Sequence, residues 1–161
     1  MAVFFGYVRI DASPDGMGRL DSYDAIEDNI NHFSLERITP KMRFLIVDDT
    51  ARARQSMKAL LEVWHPGEEV REATDGSEAI TLAEEFQPDI ILMDARMPKI
   101  SGLEATRQIK AKWPQMRVII LSVFMDYQAL AMEAGANAFF SKSDLPENLR
   151  SILRNILQEK D

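Results

Sequence analysis

From Met42 onward, short apolar runs alternate with longer stretches whose apolar residues recur every three or four positions. Phe44–Val47 is a continuous apolar run, the mark of a strand buried on both faces. Ile90–Met93, Val118–Leu121 and Asn137–Phe140 supply the third, fourth and fifth strands, while Glu69–Ala73 alternates weakly and suits an edge strand. Between them lie helical patterns. Thr50 stands where it can cap a first helix carrying Ala53, Met57, Leu60, Leu61 and Trp64, which His65-Pro66-Gly67 ends. Asp75-Gly76-Ser77 turns the chain into a second, with Ala79, Leu82, Ala83 and Phe86 on one face. A third carries Leu103, Thr106, Ile109 and Trp113 and stops at Pro114. A shorter fourth covers about Tyr127 to Ala134, closed by Gly135, and Leu149, Ile152, Leu153, Ile156 and Leu157 form the stripe of the fifth. Five βα units predict an α/β fold, a parallel sheet with helices on both faces.

The first 41 residues break this pattern. Turn formers such as Asp11-Ala12-Ser13-Pro14-Asp15-Gly16 are scattered among acidic and apolar residues. The expectation is an N-terminal extension over residues 1–41, disordered or arising from an upstream start, ahead of one domain over 42–161. At 161 residues, 46% hydrophobic and 28% charged, the chain holds one ordinary domain and a short segment. A net charge of −7 argues against direct nucleic-acid binding. No apolar run approaches the roughly 20 residues a membrane span needs, and there is no cysteine. A cytoplasmic setting is the reading these features support.

The chemistry sits at strand ends. Asp48 and Asp49 follow the first strand, Asp94 the third, and in an open parallel sheet those ends share one edge, where ligands bind. Three crowded carboxylates repel unless a cation intervenes, and a hard ion such as Mg²⁺ fits best. Ser122 and Lys142 end the fourth and fifth strands on the same edge and add a hydroxyl and a positive charge. Together these residues suit an anion with exposed oxygens, a phosphoryl group above all. Taken singly, each has a plainer reading: the paired aspartates as helix caps, Ser122 as a turn residue, Lys142 as a solvated lysine. Their coincidence at one edge is what carries weight.

Leu45-Ile46-Val47-Asp48-Asp49, Leu92-Met93-Asp94-Ala95-Arg96-Met97-Pro98, Ile119-Ile120-Leu121-Ser122 and Gly135-Ala136-Asn137-Ala138-Phe139-Phe140-Ser141-Lys142 resemble the receiver domain of two-component response regulators, over about Met42 to Leu157. The resemblance implies a CheY-like, three-layer doubly wound (βα)5 fold with strand order 2-1-3-4-5. It implies that Asp94 is the phosphoacceptor, that Asp48, Asp49, Asp94 and the backbone carbonyl of Arg96 hold Mg²⁺, or Mn²⁺ in its place, and that Lys142 and Ser122 bind the phosphoryl group, with Phe139 the switch aromatic. Ser143 follows the lysine where many relatives have proline, a departure similar to the NarL-like branch. The implied phosphodonor is a sensor histidine kinase or a phosphotransfer protein. The output is a phosphorylation-dependent homodimer or a target protein, through the face of the fourth helix, fifth strand and fifth helix, with Tyr127, Gln128 and Arg150 as contacts. The domain is then a switch and not an enzyme, though it assists its own phosphorylation and dephosphorylation.

Arg96, two residues past the acceptor, and Phe124, two past Ser122, are expected to overhang the phosphoryl group and limit access of water, with Val123 narrowing the entrance. Two other classes fit less well. An Asp-nucleophile hydrolase of the haloacid-dehalogenase type wants an acid/base aspartate where Arg96 stands. A flavodoxin needs a phosphate cradle where Val47-Asp48-Asp49-Thr50 presents two carboxylates. A receiver that binds partners without phosphorylation is the remaining alternative, against which the intact residue set argues.

Overall fold

The structure, a computed structural model, describes residues 41–158. Along it run β1 (Arg43–Val47), α1 (Ala51–Trp64), β2 (Glu69–Ala73), α2 (Gly76–Phe86), β3 (Ile90–Asp94), α3 (Gly102–Lys112), β4 (Arg117–Ser122), α4 (Tyr127–Glu133), β5 (Ala138–Ser141) and α5 (Pro146–Gln158). The strands form one sheet in the order β2-β1-β3-β4-β5, every pair parallel. This is the doubly wound arrangement and strand order expected, with β2 at an edge. The extension expected over residues 1–41 lies almost wholly outside the described residues.

Alternation along the strands divides the core into two layers. Leu45, Val47, Ile91, Met93, Val118 and Ile120 face one way and pack with Ala79 and Ala83 of α2, Leu103 and Ile109 of α3, and Ala131 of α4. Phe44, Ile46, Ile90, Leu92, Ile119 and Leu121 face the other way and meet Leu61 of α1 and Leu149, Leu153 and Ile156 of α5. The three inner strands are apolar on both faces because helices cover both, which is why no polar period shows in them.

Local chemistry at the helix ends departs from expectation in places. Thr50 does occupy the N-cap of α1, but its side chain makes no capping bond. Its hydroxyl donates to Asp49 Oδ1 at 3.4 Å, while its backbone N–H donates to Asp48 Oδ1 at 2.9 Å. The aspartates have drawn the turn's polar groups to themselves. Asp75 and Ser101 cap α2 and α3 by accepting from the N–H of Glu78 and Glu104. Trp113 caps the end of α3 and is not within it. Sheet bonding carries β3 through Asp94 and β4 through Ser122, one residue beyond their apolar runs.

Candidate functional site

The register brings the strand ends level. Val47 is paired with Met93, so Asp48, one residue on, stands beside Asp94. Asp94 is paired with Leu121 and Ser122 with Ser141, which sets Lys142 just beyond. Buried polar residues confirm where the polar chemistry is concentrated. Among the described residues they are Asp48, Asp94, Thr106, Ser122 and Ser141, and all but Thr106 belong to this edge.

Lys142 is the hub. Its ammonium donates to Asp48 Oδ2 at 2.6 Å and to Asp94 Oδ1. Two carboxylates thus share one cation, and Asp94 is only 8% exposed. Burial pushes the Asp94 carboxyl above its ordinary range and the charge of Asp48 adds to this, only partly offset by Lys142. Burial would lower the Lys142 pKa, but its bonds to Asp48 and Asp94 outweigh that and hold it above the usual lysine value. The other Asp94 oxygen, Oδ2, accepts from the backbone N–H of Arg96 at 3.0 Å. Both oxygens of Asp94 are therefore oriented.

Ser122 is buried, and its Oγ accepts from the N–H of Phe124 at 3.0 Å, tying the β4–α4 loop to the strand end. Phe139 is half-buried against the α2–α4 layer, level with Ile120. Asp49 is exposed and lines, with Arg96, Met97 and Pro98, a polar recess of about 220 Å³. Arg96 and Phe124 meet: the guanidinium carbon lies 5.0 Å from the ring centre. Phe124 and Val123 are 47% and 54% exposed, so this pair rises from the surface as a small ridge. The Arg96 guanidinium makes no hydrogen bond to Asp94.

The donor set for a cation is all oxygen, as Mg²⁺ prefers, and such an ion keeps several waters and takes few protein ligands. Among the described residues no three Asp, Glu, His or Cys side chains close on one point. Asp48 and Asp94 are turned toward Lys142 instead. The chain's donors fit an ion that completes its shell with water and do not form a closed cage.

Three features of the site had no signal in the apolar pattern. Arg54 of α1 donates to the backbone oxygen of Asp48 at 2.8 Å and to Glu72 of β2 at 3.1 Å, pinning the end of β1. Gly102 packs so tightly that a Cβ there would lie 1.8 Å from the Asp94 carbonyl oxygen. Lys99 holds a left-handed conformation (φ 65°) and pairs with Asp75 at 2.8 Å. The glycine could have been found by its place one residue after a capping serine; the two ion pairs needed the tertiary arrangement.

The family described as "Response regulator receiver domain" matches residues 44–154. The transcriptional regulatory protein DegU of Brevibacillus brevis is 36% identical over 104 residues, covering 63% of this chain and 44% of that protein. LiaR of Bacillus subtilis, also named a transcriptional regulatory protein, is 36% identical over 115 residues, 70% of this chain and 54% of its own. Among solved structures, a two-component response regulator of the LuxR family from Aurantimonas sp. SI85-9A1 superposes with a TM-score of 0.69 at 34% identity, over 74% of this chain and 87% of that one. The chain spans about half the length of the curated relatives it matches.

Proposed function

The chain belongs to the response-regulator receiver family, and on that ground we propose that Asp94 is the residue through which it accepts a phosphoryl group. Phosphoryl acceptance is the family's general role, and the family uses Mg²⁺ for it. The observation that carries the assignment is the placement of Asp94: buried at a strand end, bonded to Lys142 and beside Asp48.

In this reading an Asp94 oxygen attacks the phosphorus of a phosphohistidine on a sensor kinase or phosphotransfer protein. The new P–O bond forms as the P–N bond breaks, and the imidazole leaves and takes up a proton. Asp48, Asp49, Asp94 and the carbonyl of Arg96 would hold the divalent ion, Mg²⁺ or Mn²⁺, which neutralises phosphoryl oxygens when bound. Lys142, already 2.6 Å from Asp48, supplies the fixed positive charge on the other side. This is positioning and charge neutralisation, the sense in which a switch assists its own phosphorylation.

The output follows from Ser122. Its Oγ accepts from Phe124 N, and turning that hydroxyl toward a phosphoryl oxygen would break the bond and free the β4–α4 loop. Phe139, half-buried on the neighbouring strand level with Ile120, would take the space vacated. The surface of α4, β5 and α5, where Gln128 and Arg150 are exposed and Tyr127 half-exposed, is then the face that changes for a homodimer or a target protein. We take residues 42–161 as the receiver and residues 1–41 as an extension to it.

The test is labelling by acetyl phosphate with Mg²⁺. Wild-type protein is expected to take up label in an acid-stable, base-labile form that Asp94→Asn and chelator abolish. Undiminished labelling of Asp94→Asn would refute the assignment.

A further inference from the structure

The segment between β3 and α3, residues 95–101, carries Arg96, and its path is fixed at two places. At its base, Gly102 N–H donates to the Ala95 carbonyl at 3.1 Å, and Gly102 lies against the Asp94 carbonyl too closely for any side chain. At its tip, Ile100 sits against Gly76, where a Cβ would come 2.5 Å from the Ile100 carbonyl oxygen. Lys99, next to it, reaches out of the loop to Asp75 at 2.8 Å.

Lys99 is an unusual residue for its place. It is one of two non-glycine residues with positive φ among those described, and lysine is not a type that favours the left-handed region. Asp75 is also the cap of α2, accepting from Glu78 N at 2.9 Å, so its position is held independently of Lys99. Its carboxylate is 14% exposed while the Lys99 side chain is 73% exposed. The anchor is held in the turn and the arm is exposed. Hydrogen bonding to Lys99 holds the Asp75 carboxyl below its ordinary range, as expected of a true pair.

We infer that the Lys99–Asp75 ion pair is a latch that holds the β3–α3 loop against the start of α2, and so positions the Arg96 carbonyl for the divalent ion. Lys99 is a positioning residue, acting through the loop and touching neither metal nor phosphate. The inference rests on the metal reading given above and adds a determinant outside it. Arg96 is tied on its N-terminal side by its N–H bond to Asp94 Oδ2, and loosening the tip lets its carbonyl, on the C-terminal side, shift while Asp48, Asp49 and Asp94 stay in place.

An exposed ion pair is a weak tether, so the effect has a ceiling of roughly fivefold in affinity. The measurement is Mg²⁺ binding by calorimetry, together with thermal melting of the metal-free proteins. Lys99→Gly is the informative variant, because glycine relieves the positive φ while removing the ammonium. It is expected to melt at or above the wild type yet bind Mg²⁺ three- to fivefold more weakly, a split that a merely structural role would not produce. Asp75→Asn keeps the helix cap and should weaken binding to the same extent. The double variant should be no weaker than either single one, and Lys99→Arg should bind as wild type. Wild-type affinity in Lys99→Gly, or effects that multiply in the double variant, would overturn the latch and leave the metal site standing. A wild-type protein that binds no Mg²⁺ would remove both.

Discussion

Replacing Lys142 by methionine tests the electrostatic core of the site, since it keeps the stem and deletes the charge. In the folded protein Asp48 and Asp94 share that ammonium, which donates to Asp48 Oδ2 at 2.6 Å and to Asp94 Oδ1. Without it two carboxylates, 6% and 12% exposed as side chains, face each other with no counter-charge. Breaking a fully buried pair costs about 3–5 kcal/mol. Lys142 is 25% exposed, so solvent screens part of the loss and about 2–3 kcal/mol is expected. At roughly 4 °C per kcal/mol for a domain of this size, the melting midpoint should fall about 8–12 °C in chelator near neutral pH.

The pH dependence has a definite sign. In the wild type Lys142 is raised, so its contribution is present below the ordinary lysine value of about 10.4 and is lost as pH climbs through the folded value above that. Asp94 is raised by burial, so its ionisation costs stability once pH passes the ordinary carboxyl value of about 3.9, and the cost is complete above the folded value. Deleting Lys142 removes the bonds that partly offset this rise, and the folded value moves higher still. The deficit of Lys142→Met should therefore be small at about pH 3.5 and grow toward neutrality. Millimolar Mg²⁺ should restore more stability to the variant than to the wild type, because it supplies the missing charge. Scanning calorimetry across pH, with and without Mg²⁺, reads all of this. A variant within about 2 °C of wild type near neutral pH would refute the reasoning, since less than 1 kcal/mol would then be at stake.

Gly102→Ala places a Cβ 1.8 Å from the Asp94 carbonyl oxygen and 2.9 Å from Met93 Cγ, so α3 must shift against the central strand; about 3 kcal/mol of destabilisation is expected by denaturant titration, with acetyl-phosphate labelling reduced in the protein that remains folded. Arg96→Ala combined with Phe124→Ala removes the ridge formed by their 5.0 Å contact. It should speed loss of the aspartyl phosphate several-fold, about 1 kcal/mol on the barrier, and equal or slower loss in a phosphate-release assay would show that neither side chain shields the acceptor.

The sequence alone determined the elements and which residues lie at the sheet's chemical edge. Apolar runs such as Ile90–Met93 can be satisfied only by burial on both faces, and the stripe of α5 only by burial on one. Once a parallel sheet follows, Asp48, Asp94, Ser122 and Lys142 must share an edge, because each ends a strand running the same way. Cap chemistry was less legible. Thr50 has the right composition for an N-cap, but the neighbouring aspartates compete for the same turn. What only tertiary structure decided is how the charges are apportioned. Asp48 and Asp49 are indistinguishable as neighbours in sequence, yet one is buried on Lys142 and the other faces an open recess. The ion pairs Lys99–Asp75 and Arg54–Glu72 join residues from different βα units, and the approach of Gly102 to Asp94 closes the turn within one. Periodicity reports the burial of each element by itself; the partner a charge finds across elements depends on register and helix placement, which are set when the two apolar layers pack.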